Sequence, residues 1–176
     1  GTDDKEIYNL RRSIDAGAPI KYNYITSPNQ GAALALYTIA NAVHNENDYA
    51  LSLVYSRLAS HIDPKNIENV LLVSDNLLNL KQYDLAIKNY KNVPIMHGKF
   101  KNAEIGRANA LYYQGKETTS IEVLKTLAKN NPEDIELKTT LGNSLRRSSQ
   151  FLEASKIYSD AISLIEKKEL TSWFEY

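Results

Sequence analysis

A spacing of 34 residues governs this sequence: written without gaps as residues 33–66, 67–100, 101–134 and 135–168, it falls into columns of like character. The eleventh column holds Val43, Leu77, Leu111 and Leu145, and the eighth holds the small residues Ala40, Ser74, Ala108 and Gly142. Ser52, Ala86, Ser120 and Ala154 fill the twentieth, where a bulky side chain would stop two helices approaching to the ~8–10 Å of close packing. The twenty-fourth column reads Ser56, Tyr90, Leu124, Tyr158, and the twenty-seventh Ala59, Val93, Leu127, Ala161. Pro64, Gly98 and Pro132 stand in the thirty-second column as helix stops, with Glu166 as the exception.

Each frame contains two stretches with apolar residues three and four apart, parted by a polar break at Asn45–Asp48, Leu80–Gln82, Gln114–Glu117 and Ser148–Gln150. The pattern predicts helix, turn, helix. Asp63-Pro64, Val93-Pro94 and Asn131-Pro132 punctuate the joins, because proline cannot donate its backbone bond inside a helix and biases its predecessor away from helical angles.

These columns resemble the tetratricopeptide repeat (TPR). The best matches are Asn109-Ala110-Leu111-Tyr112-Tyr113-Gln114-Gly115-Lys116, Leu141-Gly142 with Leu145, Ala154, Tyr158 and Ala161, and Gln82-Tyr83-Asp84-Leu85-Ala86-Ile87. The departures are a fourth column of Leu36, Val70, Glu104 and Lys138 in place of an aromatic, and Arg107 at a usually apolar seventh position. The resemblance implies an all-α fold, a right-handed superhelix of stacked antiparallel helix pairs. The linker ending in Ser27-Pro28, Leu34-Ala35-Leu36-Tyr37, Gln82-Tyr83-Asp84, Val93-Pro94 and Leu145-Arg146-Arg147 is similar to a group of alphaproteobacterial proteins of this kind, and that resemblance implies a longer bacterial parent of the periplasm or cell envelope.

Outside the frames, residues 1–32 read as a partial preceding helix and a linker. Residues 4–16 carry Ile7, Leu10 and Ile14, with Gly17 as the stop, and fit the second helix of an earlier unit. Residues 18–26 alternate through Ile20, Tyr22 and Tyr24 and are expected to be extended, either packed on the helices or lying in the groove. At the other end Glu166–Thr171 takes the place of a proline join, and residues 169–176, with Trp173-Phe174-Glu175-Tyr176, read as the start of a truncated fifth unit. The absence of a start methionine fits an excised piece.

In the family the first helices line a concave wall through columns two, five, nine, twelve and thirteen. By that resemblance the partner-binding candidates are Tyr37, Asn41, Leu71, Asp75, Leu78, Ile105, Asn109, Tyr112, Tyr113, Asn143, Arg146 and Arg147. Asn41, Asp75, Asn109 and Asn143 form a ladder able to hydrogen-bond the backbone of an extended peptide, although asparagine is common there for ordinary reasons. Leu71, Leu78, Ile105, Tyr112 and Tyr113 supply either an apolar patch for binding or packing under the linker. Arg146 and Arg147 either grip a carboxylate or form a solvated basic face.

The expected partner is therefore a protein or peptide, with a structural, oligomerisation or spacer role as the alternative. Lysine plus arginine equals aspartate plus glutamate at 21 each, so nucleic acid is a poor partner. No apolar run approaches the ~20 residues that span a bilayer, so membrane insertion is not expected of this segment. With no cysteine, thiolate sites and disulfides are excluded. His44, His61 and His97 stand apart from one another without metal-ligand spacing, no glycine-rich phosphate loop is present, and neither an enzyme nor a cofactor or metal is expected.

Overall fold

The computed structural model describes residue 8, residues 11–17, residue 25 and residues 27–174, with side chains only as far as residue 167 at the C-terminal end. Every regular element among the described residues is an α-helix. A leading helical segment, residues 11–15, closes at Gly17, whose φ of 66° suits a residue without Cβ. Then follow α1 (Pro28–Asn45), α2 (Tyr49–Ile62), α3 (Ile67–Asn79), α4 (Tyr83–Tyr90), α5 (Phe100–Tyr113), α6 (Glu117–Asn130), α7 (Ile135–Arg147) and α8 (Phe151–Phe174). Of the linker at residues 18–26, only Ile25 is among the described residues.

The starts of these helices are written in side chains that satisfy orphan backbone donors. Ser27 accepts from the Gln30 N–H with Pro28 in the first turn, Asp48 from Leu51, Asn66 from Asn69, and Asp134 from Leu137. The turns inside the hairpins are more uniform still. Asn47, Lys81, Gly115 and Ser149 all occupy the fifteenth column, and all four have left-handed backbone, with φ of 63°, 60°, 84° and 59°. In each case the following N–H bonds back to the eleventh-column carbonyl: Asp48 to Val43, Gln82 to Leu77, Lys116 to Leu111 and Gln150 to Leu145. This is the Schellman closure of a helix, repeated four times in one register.

The chain divides into two compact bodies, Gly1–Gly106 and Arg107–Tyr176, with the boundary inside α5. In the first, α1 packs on α2, α2 on α3 and α3 on α4; in the second, α6 packs on α7 and α7 on α8. The repeated columns supply the buried contacts. Ala40, Ser74, Ala108 and Gly142 are buried in the eighth, and Ser52, Ala86, Ser120 and Ala154 in the twentieth. Leu77, Leu111 and Leu145 are buried in the eleventh, whereas Val43 is half-buried. Ala59, Val93, Leu127 and Ala161 close the twenty-seventh.

Two different ties join the helices of a pair, and they alternate along the chain. In the first and third frames a serine hydroxyl reaches across: Ser52 Oγ donates to the Ala40 carbonyl at 2.8 Å and Ser120 Oγ to the Ala108 carbonyl at 2.7 Å. The second and fourth frames have alanine there and use a tyrosine instead, Tyr90 donating to Asp75 and Tyr158 to Asn143. Glycine makes room for each ring: a Cβ at Gly106 would lie 2.5 Å from Tyr90 Cε1, and one at Gly142 would lie 2.5 Å from Tyr158 Cε1.

The C-terminal end differs from expectation. No join interrupts Glu166–Thr171; α8 is continuous from Phe151 to Phe174, so residues 169–174 prolong a helix rather than begin one. The physical reason is that no proline or glycine occurs between Phe151 and Phe174, and Glu166-Lys167-Lys168-Glu169-Leu170 are good helix formers. Residues 175–176 lie outside the described residues.

Candidate functional site

The twelve candidate wall residues divide equally between the two bodies. The first contains Tyr37 and Asn41 on α1, Leu71, Asp75 and Leu78 on α3, and Ile105 on α5. Asn41 is exposed and the other five are half-buried. The second contains Asn109, Tyr112 and Tyr113 on α5 and Asn143, Arg146 and Arg147 on α7. Asn109 and Tyr112 are half-buried there, and the remaining four are exposed. Leu71, Leu78 and Ile105 thus belong to one body, and Tyr112 and Tyr113 to the other.

In the first body the polar candidates lie beside an internally bonded network. Asp75 Oδ1 accepts the Tyr90 hydroxyl, so the ninth column is no free ladder at this point. Burial raises the Asp75 carboxyl above its ordinary range, while the Tyr90 hydrogen bond and then the His44 charge oppose that rise. The Tyr90 phenol is also pushed up, by burial first, then by the Asp75 charge and hydrogen bond. His44, one turn from Asn41, meets Asn76 Oδ1 through Nδ1 at 2.7 Å and packs edge-on against Tyr49 at 5.2 Å between centroids. Asn76 Nδ2 then donates to Ser52 Oγ at 2.7 Å, carrying the chain of bonds to the Ala40 carbonyl. Sequence spacing did not bring out this network; its signal was Asn76 and Ser52 at positions where apolar residues would also pack.

At the start of α1, Ile25 lines a pocket of about 250 Å³ together with Gln30, Leu34, Tyr37, Asp63, Asn66 and Glu68. Leu34, Tyr37 and Glu68 stand in the candidate wall columns, so the one described residue of the linker lines a pocket together with them.

The second body presents a different surface. The Arg147 guanidinium carbon lies 4.4 Å from the centroid of the Tyr112 ring, over its face. Tyr113 stands edge-on to Tyr112 at 5.6 Å and is 56% exposed. Asn143 Oδ1 accepts the Tyr158 hydroxyl at 2.8 Å, which leaves the Asn143 amide nitrogen for other bonding.

His61 and His97 are exposed, and among the described residues no group of three or more histidine, aspartate or glutamate side chains is placed to hold a metal ion. No helix of the described residues is long and apolar enough to cross a membrane.

No family profile matches the sequence, and no curated protein matches it. Solved structures do match. MamA from Desulfovibrio magneticus RS-1 superposes with a TM-score of 0.66 at 20% identity, over 95% of this chain and 97% of that one. A double mutant of the RS-1 protein gives 0.65 at 20% identity over 96% and 97% of the two chains, and another MamA crystal structure 0.66 at 15% identity over 81% and 76%. At such identities the likeness concerns the fold alone: an all-α array of antiparallel helix pairs of the α-α superhelix class.

Proposed function

We propose that the chain is a non-catalytic interaction module that holds a segment of a partner protein against the faces of its first helices. The observation that carries this reading is the state of the wall side chains. Asn41, Tyr113, Asn143, Arg146 and Arg147 are exposed, while each of the helices that bear them is tied to its hairpin partner by a serine or tyrosine hydrogen bond. A rigid helix face with accessible aromatic, arginine and amide groups offers anchors at low ordering cost. Asn109 and Tyr112, half-buried beside Tyr113, supply the polar and apolar halves of such an anchor.

The reading is tested by affinity purification of the full-length protein from its native cells beside the double variant Asn109→Ala, Tyr112→Ala. Partner recovery should fall while helicity, followed by circular dichroism, is unchanged. Equal recovery by both proteins removes the wall from the function.

A structural or oligomerisation role is the second reading, and one feature favours it. Leu51, Val54 and Leu58 form a stripe on α2 at helical spacing and are 43%, 55% and 49% exposed. Sedimentation of the wild type beside Val54→Lys distinguishes the two: a self-associating species lost in the variant supports the stripe.

A further inference from the structure

We infer that the Tyr112–Arg147 pair is the anchor for an acidic segment of the partner, its carboxylates received by Arg147 with Arg146 adding charge beside it. This rests on the wall being the binding surface and specifies the chemistry it selects.

Elsewhere on the surface, cations have found carboxylates: Lys99 lies 3.3 Å from Glu68, and Lys125 lies 2.6 Å from Glu153. Arg146 and Arg147 are both exposed and form no ion pair among the described residues. Basic residues in the last turn of α7 complement the helix dipole. That role requires no particular rotamer. Arg147 nevertheless has one, its head set over the Tyr112 ring of another helix.

A ring face attracts the cation without accepting the whole set of five N–H donors, so the fork stays available for bidentate hydrogen bonding. A free arginine gives up rotamer freedom when it is fixed; here much of that ordering precedes the ligand. Exposed Tyr113, edge-on to Tyr112, extends the surface with an apolar ring on which the stem of a glutamate can lie. Arginine beside tyrosine also suits nucleic acid, yet a phosphate backbone is held by many cations, and this chain balances 21 basic against 21 acidic residues. A short acidic peptide needs only the pair.

The test is fluorescence anisotropy on the intact chain with three labelled decapeptides, in which alanine alternates with glutamate, glutamine or lysine. The glutamate peptide should bind about tenfold or more tightly than the glutamine peptide and should weaken as salt is raised. Arg147→Gln should abolish most of that preference, and Arg147→Lys should restore only part of it, because charge returns without the planar fork. Tyr112→Phe should leave the preference intact, whereas Tyr112→Leu should reduce it, with circular dichroism confirming that each variant folds. Equal binding of the glutamate and glutamine peptides, or an unchanged preference in Arg147→Gln, overturns the inference. So does tighter binding of an oligothymidylate of equal charge. If glutamate and glutamine peptides bind equally and Asn109→Ala weakens both, the wall survives as a binding surface and only its acid preference falls. Failure of all three peptides overturns the acidic anchor, and the capture comparison of wild type with Asn109→Ala, Tyr112→Ala then decides the wall separately.

Discussion

The hydroxyl of Tyr90, at the end of α4, donates to Oδ1 of Asp75, fifteen residues earlier on α3. Tyr158 repeats the relation with Asn143 at 2.8 Å, again across fifteen residues. One bond spans the two helices of a pair in both cases, but the acceptor is a half-buried carboxylate in one and an exposed amide in the other.

Tyr90→Phe is therefore expected to cost more than Tyr158→Phe. Removing the donor from a charged, half-buried acceptor costs about 1.5–3 kcal/mol, against about 0.5–1.5 kcal/mol for a neutral pair. Urea denaturation of the two variants beside the wild type measures the difference.

Asp75 gives the fold a dependence on pH. Because its carboxyl is raised in the folded state, protonation is easier there than in the unfolded chain, and the resulting contribution to stability is complete below the ordinary carboxylate range of about 4. That contribution is lost as pH rises through the elevated folded value. Asp75→Asn keeps an acceptor for Tyr90 and cannot ionise. Relative to the variant, wild-type stability should fall with rising pH across this window and then level off, as read from denaturation midpoints at a series of pH values. A difference that is flat throughout the window would contradict the assignment.

The two glycines that seat the tyrosines should respond unequally to alanine. At Gly106 the intruding methyl meets Tyr90, which is 1% exposed and held by Asp75, so overpacking should cost about 1–3 kcal/mol. At Gly142 the ring belongs to half-buried Tyr158, which has room to swing, and the better helix propensity of alanine offsets up to about 1 kcal/mol. Thermal denaturation should rank Gly106→Ala well below Gly142→Ala.

The left-handed turns offer a gain. Lys81 and Ser149 adopt φ of 60° and 59°, a conformation costing a residue with Cβ about 1–2 kcal/mol. Glycine removes that strain at some cost in unfolded-chain entropy, so Lys81→Gly and Ser149→Gly should each stabilise by about 0.5–1 kcal/mol. For a chain of this size that is a rise of roughly 1–4 °C in Tm.

The columns of small and apolar residues made the helical packing legible, because a residue that must fit a crossing repeats wherever the crossing repeats. Ala40, Ser74, Ala108 and Gly142 are buried for that reason. The fifteenth column was harder: only Gly115 and Asn47 are natural left-handed residues, and Lys81 and Ser149 conceal what the backbone does there. The run of α8 through Glu166 was misread because a repeating frame invites a break even where neither proline nor glycine supplies one. For the candidate wall residues, column position says nothing of their bonds. Whether Asp75 is free or engaged depends on Tyr90, and the pairing of Arg147 with Tyr112 depends on two helices whose separation in sequence conceals their contact.

The seat that Gly106 provides for Tyr90 makes the repeats of this chain non-interchangeable. A clean excision of residues 101–134 would preserve every column, yet it would bring Thr140 to the place of Gly106 and set a branched side chain against a buried phenol. A shortened array built that way would need a compensating glycine at Thr140 before its helices could close, so the order of the modules is as much a part of this protein as their number.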